Sequence, residues 1–318
     1  MNKLTVTHLK KYYPTTDGLL HAVDDVSLDI PAGQTVGIVG ESGCGKSTLG
    51  KTILRLTEPT SGSVKMDDVE ITELSARELK HYRTKMQMIF QDPFSSIDPR
   101  MTVSQLIAEP LRIHRVFKKK SDIAERVREL METVGLDKRF ENSYPHELDG
   151  GRRQRIGVAK ALALEPEFIV CDEPVSALDV SIQAQILNLL QDLQRDKHLT
   201  YMFITHDLSV VRHISNTICV MYLGQVIEQC GTDELFEHTL HPYSQALLSA
   251  IPVPSVDDRP QRILLTGEVS SPINPENTCR FAPRCRFCTE ECRSRPAPGL
   301  RDMGNGHLVA CHRVEEIN

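Results

Sequence analysis

The chain contains no tryptophan, and aromatic residues make up only 5% of its 318 positions. It has no surplus of positive charge either. Against 37 Lys and Arg stand 43 Asp and Glu, a formal net charge of -6, which argues against a dedicated nucleic-acid binder. Long apolar runs are missing too: Phe168 to Cys171 and Tyr201 to Ile204 are strand-length, far short of the roughly 20 residues that cross a bilayer as a helix. The start, Met1 to Val6, alternates polar and apolar residues and shows no basic segment followed by a long apolar one, so no signal peptide and a cytoplasmic address are expected. What remains is the balance of an ordinary globular protein, 40% hydrophobic and 25% charged.

Cysteine is not scarce, but it is unevenly placed. Cys44, Cys171, Cys219 and Cys230 are scattered, whereas Cys279, Cys285, Cys288, Cys292 and Cys311 crowd into the last forty residues. In a reducing compartment such residues read as thiols or metal ligands rather than disulfides. Proline thickens from Pro252 through Pro254, Pro260, Pro272, Pro275, Pro283, Pro296 and Pro298, so regular elements there should be short. The length exceeds one average domain and predicts a core of about 230 residues with an appendage.

In the core, strand-like runs alternate with segments of helical period, the pattern of an α/β fold with a largely parallel sheet. Thr35 to Val39, Phe168 to Cys171 and Tyr201 to Ile204 are the clearest strands. A helix is predicted over Ser121 to Val134, with Ser121 at its cap, Gly135 as its stop and Ile123, Val127, Leu130, Met131 and Val134 on its apolar face. A second is predicted over Ser181 to Gln194, burying Ile182, Ile186, Leu189, Leu190 and Leu193.

Gly40-Glu41-Ser42-Gly43-Cys44-Gly45-Lys46-Ser47 fits the G-x-x-x-x-G-K-[ST] phosphate loop, and it follows a strand and precedes a helical stretch, Thr48 to Leu56, as that loop must. The glycines let backbone N–H groups turn inward toward phosphate oxygens, at the positive end of the following helix. Lys46 supplies a charge for the β and γ phosphates, and the Ser47 hydroxyl suits Mg²⁺. Farther on, Phe168-Ile169-Val170-Cys171-Asp172-Glu173 is an apolar strand ending in two acids. Asp172 suits a nucleotide-bound metal, and Glu173 suits a general base for water.

With further motifs in order, the chain resembles the nucleotide-binding subunit of an ATP-binding cassette (ABC) transporter: a P-loop NTPase fold with a mixed sheet core and a helical subdomain. Gln91, in Met88-Ile89-Phe90-Gln91-Asp92-Pro93, matches the glutamine that senses Mg²⁺ and the γ-phosphate. Leu148, Asp149, Gly150, Gly151 and Arg152 match the signature loop, which acts on the nucleotide of the opposite subunit. Ser176 and Asp179 match the loop that crosses the dimer interface, His206 the switch histidine, and Tyr13 the aromatic that stacks on adenine, with Tyr12 competing. The resemblance gives an ATP-binding domain over 1–236, with its helical subdomain at about 92–165, and a Cys-rich extension over 237–318. The nucleotide contacts it implies are Tyr13, Gly40, Ser42, Gly43, Cys44, Gly45, Lys46, Ser47, Thr48 and Asp172, with Ser47, Gln91 and Asp172 around Mg²⁺.

Within that family, Ser95-Ser96-Ile97-Asp98-Pro99-Arg100, Met221-Tyr222-Leu223-Gly224 and His241-Pro242-Tyr243 look like the dipeptide and oligopeptide importers, closest to their second ATPase subunit. This implies a paralogous ATPase as heterodimer partner, two transmembrane permease subunits, an extracytoplasmic substrate-binding protein, no nucleic acid, and a peripheral place on the cytoplasmic face of the membrane. Relatives in this branch also carry nickel or other small solutes. The competing functions are a soluble cassette ATPase acting on nucleic acid or ribosomes, and a mainly regulatory nucleotide-binding subunit. Two positions depart from the family, which mostly has Ser where this chain has Asp149 and Gln where it has Arg152. A carboxylate about 4 Å from the partner's phosphate would cost on the order of 4 kcal/mol per unit charge at an effective dielectric of 20. In the tail, Cys279-x5-Cys285-x6-Cys292-x18-Cys311 resembles the ligand set of a 4Fe-4S cluster in some peptide-importer ATPases, with zinc as the alternative and Cys288 as the extra thiol.

Overall fold

The computed structural model describes residues 1–92, 97–251, 262–267 and 271–318. Pro93, Ser95 and Ser96 after Gln91, and Pro252, Pro254 and Pro260 in the proline-rich stretch, lie outside the described residues. In chain order the first elements are β1 (Asn2–Thr15), β2 (Gly18–Pro31), β3 (Thr35–Val39), α1 (Lys46–Ile53), β4 (Ser61–Met66) and β5 (Val69–Glu70). A helical stretch follows with α2 (Ala76–Lys85), β6 (Met86–Ile89), α3 (Val103–Ile113), α4 (Lys120–Thr133) and α5 (Gly150–Leu162). Then come β7 (Phe168–Asp172), α6 (Val180–Lys197), β8 (Thr200–Thr205), α7 (Leu208–Ile214), β9 (Thr217–Tyr222), β10 (Gln225–Gly231), α8 (Thr232–Glu237) and α9 (Pro242–Ser249). The tail closes with α10 (Glu290–Ser294), β11 (Arg301–Asp302), β12 (Leu308–Val309) and α11 (Val314–Ile317). No helix among the described residues is long and apolar enough to cross a membrane.

Two compact units share these elements: Met1–Lys3, Ile30–Gln34 and Glu73–Phe203 form one, and Leu4–Asp29, Thr35–Thr72 and Ile204–Asn318 the other. In the first, β6 and β7 pair in parallel, Met86 opposite Phe168 through Ile89 opposite Cys171. Helices α3, α4 and α5 pack on one another beside them. The predicted helix at Ser121 starts one residue earlier: its N-cap is Lys119, without a side-chain cap bond, and the Ser121 hydroxyl turns to Asp122 at 2.8 Å. Its buried face is Val127, Leu130 and Met131, with Val134 just past the end, while Ile123 is half-buried. Helix α6 begins on Asp179, whose carboxylate accepts from Ile182 N at 3.0 Å, and it buries Ile186, Leu187, Leu190 and Leu193. Leu189 and Ile182 flank that stripe and stay half-buried, because one helix face covers little more than 100°.

In the second unit β3 runs parallel to β9, Val36 opposite Thr217 through Val39 opposite Val220. All five residues of β3 are buried, as expected of a parallel strand covered on both faces. β9 and β10 form a hairpin in which Tyr222 faces Gln225 across Leu223 and Gly224, both at positive φ (44° and 85°), the requirement of a two-residue turn between twisted strands. The tail continues this sheet, since β12 pairs antiparallel with β10 and β11 with β12. The described residues of 237–318 therefore fold with the phosphate-loop segment in one unit. Their shared core centres on Tyr222, Tyr243 and Phe281, with ring centroids 4.8 to 5.5 Å apart.

Phe281 is 3% exposed and comes from the tail, so its truncation tests how firmly the tail is docked. Phe281→Ala should lower stability by about 3–5 kcal/mol, read as a lower urea midpoint. A midpoint equal to wild type would mean that the tail is not part of the cooperative unit.

Candidate functional site

The phosphate loop links β3 to α1. Gly45 precedes the helix at φ 104°, where a Cβ would lie 2.0 Å from the Ala22 carbonyl oxygen, so this position accepts only glycine. No side chain caps α1, and the N-terminal end of a helix favours anions. Lys46 is 5% exposed, and its ammonium donates to the Gly40 and Glu41 carbonyls at 2.7 and 2.9 Å, with the Cys44 sulfur at 3.8 Å. Burial pushes the Cys44 thiol up despite the neighbouring lysine. Gly40 is buried, Ser42 and Gly43 form the exposed turn, and Ser47 and Thr48 sit in the first turn of α1.

The two tyrosines that compete for the expected adenine contact differ. Tyr12 stacks on His21 at 3.8 Å and 18°, and its hydroxyl donates to Asp24. Tyr13 has only the Lys11 ammonium over its ring, at 4.7 Å, among the ring contacts of the described residues. Burial alone would raise the Asp24 carboxyl, but hydrogen bonds from Tyr12 and His21 and the Arg280 cation hold it below the usual range.

The acids lie in the other unit. Asp172 ends β7 and is buried, and Glu173 follows at φ 45°. The parallel register carries past the strand ends: 82 residues separate Met86 from Phe168, and the same offset pairs Gln91 with Glu173. Their side chains meet, Gln91 Nε2 donating to Glu173 Oε2 at 2.9 Å. The Ser176 hydroxyl donates to the Glu173 carbonyl at 3.1 Å, so the loop from Ser176 to Asp179 hangs from the same corner. His206 follows β8 and is exposed, one residue before Asp207, which caps α7.

The signature segment packs against that loop, since a Cβ on Gly150 would touch Leu178 and one on Gly151 would meet Ile182 at 2.6 Å. Leu148 is buried behind it. Asp149 is the N-cap of α5: its carboxylate accepts from Arg152 N at 2.8 Å and from the Arg152 guanidinium at 2.6 Å. Arg152 also lies over the Phe140 ring, 4.8 Å from its centre. The acid therefore does a serine's capping work and carries its own countercharge.

In the tail, Cys279, Cys285, Cys292 and Cys311 line one small cavity of about 20 Å³, and Cys288 is not among its walls. Burial pushes the Cys279 thiol up to about 12, and those of Cys285 and Cys311 also rise. Among the described residues no three Cys, His, Asp or Glu side chains stand in a metal-holding arrangement. The expected metal-ligand set thus lines one cavity, but among the described residues it is not assembled as a metal site.

Two residues of consequence carry no motif signal. Arg280 donates to Asp24 and to the Leu223 carbonyl, and Arg284 reaches Glu41 inside the phosphate loop. Their acidic partners, Asp24 and Glu41, lie more than 240 residues away in sequence, beyond any spacing pattern.

Residues 23–176 match the family model described as ABC transporter, and residues 227–292 the one described as oligopeptide/dipeptide transporter, C-terminal region. The oligopeptide transport ATP-binding protein OppF of Bacillus subtilis (strain 168) is 54% identical over 313 residues, covering 98% of this chain and 97% of that protein. AppF of the same organism, also an oligopeptide transport ATP-binding protein, is 48% identical over 319 residues, covering 97% and 96%. A solved dimeric structure of the ATP-binding cassette MJ0796 with ADP and Pi superposes with a TM-score of 0.67 at 31% identity, over 72% of this chain and 98% of that one. The chain belongs to the ABC transporter family, among the oligopeptide transport ATP-binding proteins.

Proposed function

We propose that this ATPase powers import of di- or oligopeptides, working as a peripheral subunit at the cytoplasmic face of the membrane with a paralogous ATPase, two permease subunits and an extracytoplasmic substrate-binding protein. The observation that carries the catalytic part is the 2.9 Å contact of Gln91 with Glu173 at the end of two parallel strands. It orients the Glu173 carboxylate, which supports reading this acid as the base that would take a proton from water attacking the γ-phosphate. Lys46 and the loop amides from Gly40 to Thr48 bind the phosphates, and Tyr13, whose competitor Tyr12 is occupied by His21 and Asp24, offers its ring to adenine. Ser47, Asp172 and Gln91 would hold Mg²⁺, which neutralises charge on the transferring phosphoryl group. His206 would sense the γ-phosphate. Leu148 to Arg152, with Ser176 and Asp179, would face the nucleotide of the paralogous subunit.

A groove of about 110 Å³ lined by Phe90, Ile97, Pro110, Gln154 and Lys160 supports docking of a short permease helix. Phe90 is 41% exposed, and the buried Gln154 amide nitrogen has no partner among the described residues, so a backbone carbonyl of that helix would satisfy it. For the tail, the shared cavity supports Cys279, Cys285, Cys292 and Cys311 as ligands of a 4Fe-4S cluster, or of zinc, in preference to Cys288. Such a group would staple the tail through four thiolates.

Glu173→Gln should keep ATP binding and lower this site's turnover by about 10²- to 10⁴-fold, whereas Lys46→Ala should lose binding as well. Unaltered turnover by an assembled complex with the partner's base disabled would refute the role of Glu173. Asp149→Ala should cost about 1 kcal/mol through the lost cap, while Asp149→Ser should keep stability and, combined with Glu173→Gln, raise turnover at the partner's site. No rise would show that Arg152 already cancels the charge. Anaerobically purified protein should absorb broadly near about 400 nm through thiolate-to-iron charge transfer. Cys285→Ser should abolish that band and Cys288→Ser should not; stoichiometric zinc in a colourless protein would select the zinc reading.

A further inference from the structure

Glu41 is the second residue of the phosphate loop, so a carboxylate stands where the backbone gathers donors for anions. Three groups of the same compact unit anchor it. Its N–H donates to the Tyr243 hydroxyl at 2.9 Å, and its carbonyl accepts from Lys46 at 2.9 Å. Its carboxylate is gripped by both terminal nitrogens of Arg284, at 2.7 and 3.0 Å. The Arg284 side chain is 8% exposed and that of Glu41 27%, so salt and water screen the pair only weakly. The contact with Glu41 holds the guanidinium firmly in its charged form.

Arg284 belongs to the tail, one residue before Cys285. The tail reaches this position along a strap on β2. His21 N donates to the Pro272 carbonyl at 2.9 Å, Asn274 N to the Leu19 carbonyl at 2.8 Å, and Arg280 ties Asp24 to the Leu223 carbonyl. Uncompensated, the Glu41 charge would repel the phosphates. Two parallel N–H···O bonds cancel it and fix the direction of the first loop turn, a geometry lysine does not reproduce.

We propose that Arg284 is a positioning residue of the nucleotide site: supplied by the C-terminal tail, it neutralises Glu41 and sets the phosphate loop, making ATP affinity depend on the tail. The inference rests on the reading of this loop as the ATP phosphate site, so wild type is measured first. The full chain is titrated calorimetrically with Mg²⁺ and a non-hydrolysable ATP analogue; no binding by wild type would overturn that earlier reading rather than this one. Arg284→Gln is expected to raise the dissociation constant at least about tenfold, because it leaves the Glu41 charge uncompensated. Adding Glu41→Gln to Arg284→Gln is expected to bring affinity back to within about threefold of wild type, a rescue that a purely structural tie would not give. Glu41→Gln alone, which removes an acid and leaves the cation, is expected to bind more tightly than wild type. Unchanged affinity in Arg284→Gln, or a loss that the double substitution does not restore, overturns the proposal. If Arg284→Gln fails to fold, Glu41→Gln decides by itself: tighter binding supports the proposal, and equal or weaker binding overturns it.

Discussion

A buried ammonium is the constraint on which the phosphate-loop unit is built. Lys46 is almost fully enclosed, and a cation in that state is tolerated only if hydrogen-bond acceptors replace its water. The acceptors are the Gly40 and Glu41 carbonyls of its own loop, which must curl back over the helix start to reach it. That curl forces Gly45 to positive φ against Ala22 and brings Gly40 so close to β9 that a Cβ would lie 2.2 Å from the Met221 carbonyl. The β9–β10 turn then closes on the loop, with Gly224 N donating to the Cys44 carbonyl at 2.8 Å and Asp24 N to the Gly224 carbonyl at 2.8 Å. One charge thus fixes a loop, a hairpin turn and the strand that carries Asp24.

In the other unit the organising constraint is register. Parallel strands offset by a constant number of residues put equivalent positions side by side, and nothing but the lengths of β6 and β7 is needed to bring Gln91 to Glu173. The corner after β7 is tight: Glu173 holds a positive φ without being glycine, a conformation that costs about 1–3 kcal/mol and persists only where its surroundings fix it. The Ser176 hydroxyl bond to the Glu173 carbonyl and the Asp179 cap of α6 supply that fixing. The same short loop therefore sets the direction of the acid and starts a long helix.

Much of this was legible in the sequence because it rests on local rules. A short, largely apolar run predicts a strand, and β3 matches the predicted Thr35 to Val39 residue for residue. Glycine spacing around Lys46 carries the loop, and the apolar stripe of α4 carries its buried face. The cap at Ser121 failed for an equally local reason: Asp122 sits next to it and takes the hydroxyl, leaving Lys119 as N-cap. In the tail, spacing singles out the four cysteines that line one cavity, though among the described residues they form no metal-holding arrangement, and it says nothing of the arginines. Thiol spacing survives in one dimension, whereas Arg280 and Arg284 acquire meaning only when residues from opposite ends of the chain fold together.

Those arginines share a logic with the signature segment. Three carboxylates stand in or beside segments assigned to nucleotide handling, Asp24, Glu41 and Asp149, and each is met by an arginine of its own unit: Arg280, Arg284 and Arg152. The pairs are not equivalent. Asp149 and Arg152 are 55% and 42% exposed, so water and salt screen them and their bond adds little beyond the helix cap. Asp24 with Arg280 and Glu41 with Arg284 are largely enclosed, so removing one partner leaves a charge that solvent cannot cover. In the exposed pair the acid can be replaced while the arginine finds water. In the two enclosed pairs acid and arginine have to change together, and because both arginines come from the tail, the phosphate loop and β2 are electrostatically complete only with the tail folded against them.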